Sequence, residues 1–358
     1  MKNLLIKGNN IQGLHYLLEN RELKGKIDLV YIDPPFATGG NFTITDGRAS
    51  TISNSRNGDI AYSDKLTGKD FVEFLRERLI LIKKLLSEQG SIYLHIDYKI
   101  GHYVKVMMDE VFGIENFRND ITRIKCNPKN FNRIGYGNIK DLILFYTKSS
   151  NPIWNEPREK YTDKDIDKLF PKTDKQGRKY TTVPIHAPGE TENGKSNQPF
   201  KGMMPPKGRH WRTDVETLEQ WDKGGLIEWS STGNPRKIIF ADDREGKRVQ
   251  DVWEYKDPQY PSYPTEKNPD FLDLIVRTSS NPESIVLDCF CGSGTTLKSA
   301  QINKRKWIGI DKSEKAIEAA IKKLETIEAD LFSSKPEYDF IGLDAEPNKA
   351  VKIQQGFL

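Results

Sequence analysis

The chain has 358 residues, 36% of them hydrophobic and 30% charged, with a net charge of +4. That size exceeds one ordinary core and implies one large domain carrying a smaller one. No apolar run approaches the roughly 20 residues of a membrane span, and three cysteines, Cys126, Cys289 and Cys291, are too few and too badly spaced for a zinc site.

In chain order, apolar periodicity predicts a helix over residues 11–18 and a strand over 27–32, and then a helix over 69–86. A strand "SIYLHID" follows, then a helix over 100–112 and strands at "DITRIKC" and "DLILFYT". Alternating β and α segments indicate a parallel sheet covered on both faces. From about Ser149 the pattern gives way to a stretch dense in Pro, Gly, Lys and Asn with scattered aromatics, which reads as a loop-rich insert. Between residues 123 and 200 there are fifteen Lys and Arg against nine Asp and Glu, a modest basic excess of the kind that also covers many ordinary surfaces. Alternation returns with a helix over 269–278, a strand "SIVLDCF", a helix over 295–302, a strand "KWIGID" and a helix over 313–327.

Two strand ends carry the chemistry. The first strand closes on Asp33-Pro34-Pro35-Phe36, an acid, two prolines and an aromatic. The second, "SIVLDCFCGSGTT", runs from an acid into a glycine-rich turn and a helix, so that backbone amides can approach a ligand where no Cβ intrudes. A P-loop is excluded because Thr295, not Lys, follows Gly294, and a dinucleotide fingerprint fits poorly with only Gly292 and Gly294. Asp311, about 20 residues on at the end of the next strand, occupies the place of a ribose-binding carboxylate. These features together point to a nucleoside cofactor without a pyrophosphate.

The pairing of "DPPF" with "DCFCGSGTT" resembles the S-adenosylmethionine-dependent amino-methyltransferases of DNA. The order, catalytic motif first, is similar to their permuted beta group, which includes type II enzymes and the modification subunits of type III restriction systems. The N-terminal "LLIKGNNIQGLHYLL" and "YPTEKN" at 263–268 also fit that group.

The resemblance implies a Rossmann-like α/β fold with a mostly parallel seven-stranded sheet. It divides the chain into a catalytic part at 1–148, a target-recognition insert at 149–258 with basic contacts starting near 123, a cofactor-binding part at 259–335 and a tail at 336–358.

It also implies a reaction. The lone pair of an adenine N6 amine is delocalised into the ring, and two acceptors, the Asp33 carboxylate and the Pro34 carbonyl, would favour a tetrahedral nitrogen. Pro34 and Pro35 would fix that carbonyl, and Phe36 would stack an adenine flipped out of the duplex. By the same resemblance Asp288, Phe290, Gly292, Gly294 and Thr295 would surround S-adenosylmethionine and Asp311 would take its ribose. Thr265 and Lys267 would close over the methionine end, and Asn9 or Asn10 would reach the adenine of the cofactor. Relatives usually carry Pro where this chain has Asn268, which leaves the local turn open.

Double-stranded DNA would be met by Arg123, Lys125, Lys129, Arg133, Arg209, Trp211, Arg236 and Lys237, a mixture able to hold phosphates and read base edges. His95 and Asp97 lie at the same sheet edge, with a supporting role and a simple strand cap both open. The expected setting is a prokaryotic cytoplasm, with the protein on the nucleoid when bound to DNA and with no metal. A homodimer and a cognate restriction endonuclease stand as candidate partners. N4 methylation of cytosine, methylation of RNA, a DNA-binding protein without turnover and a nucleotide hydrolase are the competing readings. Asp33 leans towards adenine, because the cytosine enzymes more often carry Ser there.

Overall fold

The computed structural model describes residues 1–35, 41–45, 48–50, 59–63, 68–128, 132, 134–190, 194–259, 266–327, 336–343 and 350–352, with the backbone alone in 41–63 and 350–352. The chain folds as two units, one made of Met1–Pro157 with Gln250–Leu358 and the other of Arg158–Val249. Among the described residues no helix is long and apolar enough to cross a membrane.

The first unit is built on a ten-stranded sheet. In chain order its strands are β1 (Asn3–Lys7), β2 (Ile27–Ile32), β3 (Leu86–Ile96), β4 (Phe117–Ile124), β5 (Lys140–Thr147), β6 (Val252–Trp253), β7 (Ile285–Asp288), β8 (Lys306–Asp311), β9 (Tyr338–Leu343) and β10 (Ala350–Lys352). In space they run β6-β4-β5-β3-β2-β7-β8-β1-β9-β10. Pairing is parallel through the centre, from β3 across β2, β7, β8 and β1 to β9, and antiparallel where β5 and β10 are added. Among the described residues the sheet has ten strands where the resemblance implies seven: the two-residue β6 and three-residue β10 are too short to show a pattern, and β9 lies in what reads as a tail.

Among the described residues six α-helices cover this sheet: α1 (Asn10–Glu19), α2 (Gly68–Leu85), α3 (Tyr98–Phe112), α4 (Pro269–Ser279), α5 (Thr295–Ile302) and α6 (Glu314–Glu325). The buried face of α2 recurs at Phe71, Leu75, Leu79 and Ile82, the three-to-four spacing of an amphipathic helix. With Leu14 and Leu17 of α1 and Val104 and Met108 of α3, these residues pack on Val30 and Ile32 of β2 and Ile92 and Leu94 of β3. Tyr31, between Val30 and Ile32, and His95, which follows Leu94, face the other way, where the Phe271 ring of α4 meets them edge-on at 6.1 and 6.0 Å. Because β2 is covered on both sides, all its positions but one are buried, and it reads as a continuous apolar run.

Polar residues set the helix starts. Asn9 accepts a hydrogen bond from the Ile11 amide, Asp97 from Lys99 and Asn268 from Asp270, with Pro269 as the first helical residue of α4. Asn268 thus makes the turn itself. Asp97 is a helix cap, whereas His95 is fully buried and hydrogen bonded.

The second unit is not a loop-rich segment. Among its described residues it holds a four-stranded antiparallel sheet from residues 172–173, 179–184, 235–240 and 227–229, two two-stranded antiparallel ladders (158–159 with 247–248 and 186–188 with 209–211), and helices Asp163–Leu169 and Val215–Lys223. Its core is Ile185, Phe200, Trp211 and Leu218. Strands of two to six residues give no readable alternation, which explains the difference from the sequence reading. Trp211, assigned above to DNA, is 1% exposed, and its indole N–H donates to the Gln198 carbonyl at 2.8 Å. It is a core residue. Trp211→Ala should destabilise this unit by about 3–5 kcal/mol, read as a lower urea midpoint by fluorescence, and an unchanged midpoint would contradict the placement.

Candidate active site

Parallel neighbours end on the same edge of a sheet. The C-terminal ends of β3, β2, β7, β8 and β1, five adjacent strands, therefore bring His95, Asp33, Asp288, Asp311 and the pair Asn9-Asn10 to one rim. A pocket opens there, and Asn9, Asn10, Asp33, Pro35, Asp288 and Asp311 are among its walls together with the whole segment from Cys289 to Ser293.

The glycine turn is held from below by backbone and by acids. The Phe290 amide donates to Asp288 Oδ1 at 3.0 Å and the Gly292 amide to Asp311 Oδ2 at 3.0 Å, while the Gly294 amide donates to the Cys291 carbonyl at 2.7 Å. Its two glycines serve different ends. At Gly294 (φ 76°) a Cβ would lie 2.9 Å from the Ala320 Cβ, so the turn must be bare for α6 to pack. At Gly292 (φ 48°) a Cβ would meet only the Phe290 carbonyl, at 3.9 Å. There the left-handed backbone requires glycine and the space beyond stays open.

Burial raises the carboxyl of Asp288 from its usual 3.8 to about 7, against hydrogen bonds from Thr296 and the Phe290 amide. Burial also raises Asp311. The thiols of Cys289 and Cys291 are buried and raised by the same cause, as packing residues would be. The Thr295 hydroxyl receives a hydrogen bond from Lys323 Nζ at 2.7 Å, and Lys323 also pairs with Glu266.

Asp33 stands on the opposite wall. Its Oδ2 is 2.6 Å from Lys267 Nζ, a pair in which both side chains are largely buried. Its Oδ1 is buried without a hydrogen bond and lies 3.8 Å from His95 Nδ1. Pro34 is buried and Pro35 lines the pocket. Phe36 and Thr265 lie outside the described residues. Asn10 Oδ1 accepts from Arg78 Nε at 2.7 Å, and the Arg78 guanidinium sits 3.5 Å from the Phe74 ring centroid.

Sequence reasoning does not single out Tyr31, Phe74, Arg78, Glu266 or Lys323. Arg78 does leave a signal, a charge among the apolar positions of α2. The others are ordinary residue types for their elements and become visible only in space.

The basic residues assigned to DNA separate in the structure. Arg123 is fully buried. Its Nε donates to the Tyr255 carbonyl at 2.9 Å, its guanidinium pairs with Asp257, and it lies 4.7 Å from the Phe271 ring centroid. A group so enclosed cannot meet a phosphate, and Arg123 is withdrawn from the DNA set along with Trp211. Lys125, a quarter exposed, pairs with Asp141 at 2.6 Å. In the second unit Arg236 donates to Thr182, Lys237 stands 3.4 Å over the Trp221 ring, and Arg209 is exposed with a contact to His186 at 3.1 Å. Lys129 and Arg133 lie outside the described residues.

Comparison with known proteins gives a match over residues 27–322 to the family model described as DNA methylase, of N6 and N4 type. The chain is 42% identical over 304 residues to the type II methyltransferase M.EcaI of Enterobacter cloacae, covering 83% of this chain and 64% of that one. It is 25% identical over 397 residues to the probable type III restriction-modification enzyme HindVI Mod subunit of Haemophilus influenzae, covering 91% and 50%. The structure of a putative DNA modification methylase of Thermus thermophilus in complex with S-adenosylmethionine is similar over 97% of this chain and 100% of that one, at 13% identity and a TM-score of 0.48. The chain spans about half to two thirds the length of curated relatives such as these.

The elevated Asp288 has a thermodynamic consequence. The unfolded chain ionises this group near 3.8 while the folded one keeps its proton to about 7, so unfolding releases a proton between those values and this group's contribution to stability falls as pH rises. Asp288→Asn, which cannot ionise, should gain on the order of 2 kcal/mol relative to the parent between about pH 5 and pH 8. Urea denaturation at both pH values checks this, and a difference that does not change with pH would contradict it.

Proposed function

The chain belongs to the N6/N4 DNA methylase family, and from that membership we propose that it transfers a methyl group from S-adenosylmethionine to the N6 amine of an adenine flipped out of double-stranded DNA. The observation that carries this reading is the shared pocket of Asp33, at the tip of β2, and the Gly292 turn, at the tip of the adjacent β7.

The pocket suits the cofactor. Open space faces Gly292, the Asp288 carboxyl offers a hydrogen-bond partner for an ammonium, and Asp311 offers acceptors for ribose hydroxyls. Phe290, Gly294, Thr295 and Asn10 would complete its surroundings, with Lys267 beside its methionine end. Bound there, S-adenosylmethionine supplies a methyl group made electrophilic by its sulfonium sulfur.

The residues of the chain do the rest. The Asp33 carboxylate and the Pro34 carbonyl each accept one N–H of the target amine, which turns the nitrogen from planar to tetrahedral and aims its lone pair. Lys267 must release Asp33 Oδ2 before an amine can use it, since at 2.6 Å it already occupies that oxygen. Phe36 provides the stacking face for the flipped base. The leading acid Asp33 favours adenine over cytosine.

Duplex DNA is the partner, contacted by Lys125, Lys129 and Arg133 from the first unit and by Arg209, Arg236 and Lys237 from the second. The resemblance to the HindVI Mod subunit supports a restriction-modification setting with a cognate endonuclease, and the resemblance to M.EcaI supports a type II or solitary enzyme. A homodimer accords with the beta group.

Transfer of tritium from labelled cofactor to DNA, followed by digestion to nucleosides, tests the reaction. The label should appear as N6-methyldeoxyadenosine. Asp33→Ala should lower the rate by at least about 100-fold, the usual scale for a lost proton acceptor, while equilibrium dialysis shows cofactor binding retained. Label in N4-methyldeoxycytidine would overturn the adenine assignment, and transfer by the variant at the parent's rate would overturn the role of Asp33.

A further inference from the structure

The glycine turn is fastened from outside the pocket as well as from below. Lys323, on α6, places its Nζ 2.9 Å from Ser293 Oγ and 2.7 Å from Thr295 Oγ1, and it pairs with Glu266 Oε1. Ser293, Thr295 and Glu266 are walls of the pocket, whereas Lys323 is not. Little of this cluster meets solvent: Ser293 and Thr295 are 5% and 8% exposed, and the side chains of Lys323 and Glu266 are 13% and 15% exposed. Burying a charge costs free energy, and an apolar residue at 323 would pack against the turn without that cost.

Gly294 brings the lysine there. Because the turn is bare at that residue, where a Cβ would lie 2.9 Å from the Ala320 Cβ, α6 can approach it closely. Lys323 follows Ala320 by three residues and so lies on the same face of the helix. Its side chain reaches the two hydroxyls that flank Gly294.

The hydrogens of the cluster give it a direction. An ammonium has three N–H donors and no acceptor, and each of the three here has an oxygen of its own, on Glu266, Ser293 and Thr295. Ser293 and Thr295 are therefore acceptors towards Lys323. Each keeps its own O–H to donate. The two oxygens are 3.4 Å apart, so one of those hydrogens can bridge them and the other cannot. Among the described residues neither hydroxyl has a further acceptor. At least one nearly buried O–H on the pocket wall is thus left for a ligand. The first amides of α5 receive no side-chain cap from Gly294, and they add the positive end of a helix to the same corner. Such a corner suits an oxygen anion.

In the cofactor assigned above, the ribose falls to Asp311, the ammonium to Asp288 and the adenine to Asn10. The carboxylate is the one anionic group that remains. We infer that Lys323 is a positioning residue for cofactor recognition, which turns the hydroxyl hydrogens of Ser293 and Thr295 towards the carboxylate at the amino-acid end of S-adenosylmethionine, an inference that rests on the methyltransferase reading above. Glu266 is held by the same Nζ. Without Lys323 its carboxylate becomes a competing acceptor for those hydroxyls and sets a like charge beside that of the ligand.

The test is calorimetric titration of the full chain with two ligands that differ only in the carboxylate, S-adenosylmethionine and decarboxylated S-adenosylmethionine. In Lys323→Met, which keeps the length of the side chain, Kd for the first should rise at least about tenfold, the scale of a hydrogen bond to a charged group, while Kd for the second stays within about twofold. Equal weakening of both ligands would mean that the lysine only supports the turn, and would overturn the inference. So would affinities that do not change, or a parent that binds the two ligands equally well. Should Lys323→Met fail to fold, the double variant Ser293→Ala with Thr295→Val removes the hydroxyls and leaves the lysine in place. It should show the same selective loss, and the parent's affinity for S-adenosylmethionine in that variant would overturn the inference. A parent that binds neither ligand would overturn the cofactor assignment along with it. A parent that binds S-adenosylmethionine but transfers no methyl to DNA would overturn the functional reading instead, and the comparison of ligands would still decide the role of Lys323.

Discussion

The site is organised around the buried contact between Asp33 and Lys267. A carboxyl at the tip of a fully covered strand cannot be left without compensation, and Lys267 Nζ at 2.6 Å supplies it from a segment more than two hundred residues away in sequence. One side of that contact is the end of β2 and the other is the lead-in to α4, which begins on the Asn268 cap. A single ion pair therefore ties the Asp-Pro-Pro element to the part of the chain that carries the glycine turn. In the proposed reaction the same pair must part, because the oxygen that Lys267 holds is one the target amine needs. Stability of the resting site and its chemistry draw on the same atom.

The sheet makes this possible at little geometric expense. Adjacent parallel strands end together, so Asp33, Asp288 and Asp311 reach one rim without any special loop, and the permuted order of motifs along the chain leaves the spatial order of strands compatible with one pocket. Where the rim is lined by acids the interior is not uniformly apolar either. The face of β2 and β3 that carries Tyr31 and His95 gives way to Asp141 and Arg123 on β5 and β4; Tyr31, His95 and Asp141 bond to one another, whereas Arg123 bonds to the Tyr255 carbonyl and Asp257. The opposite face, packed by α1, α2 and α3, is largely apolar. The asymmetry places polarity on the side that backs the Asp33 carboxyl.

Much of this is legible in the sequence, for physical reasons. Long buried strands such as β2, and helices with a repeating apolar face such as α2, carry their own periodicity, and the acid-Pro-Pro and glycine-turn motifs are constrained by what they must place near a ligand. The remainder depends on partners distant in sequence. Arg123 reads as a surface cation in "RIKC", and only Asp257, Asp141 and Phe271 reveal it as buried. Trp211 sits in a basic stretch, "GRHWR", yet its neighbours Phe200 and Leu218 make it core. The second unit is unreadable as a fold because its strands are short and carry more turn residues than pattern. His95 cannot be separated from a cap by sequence, because nothing near it along the chain shows that Tyr31 and Asp141 lie on either side.

The most direct measurement is a crystal structure of the complex with an S-adenosylmethionine analogue and a duplex carrying its target base. The account predicts an extrahelical adenine with its N6 amine hydrogen bonded to Asp33 and the Pro34 carbonyl, the sulfur of the analogue on the open side of that amine, and Lys267 moved off Asp33. An analogue bound away from the Gly292 turn, or an adenine seated elsewhere while Lys267 still holds Asp33, would contradict it.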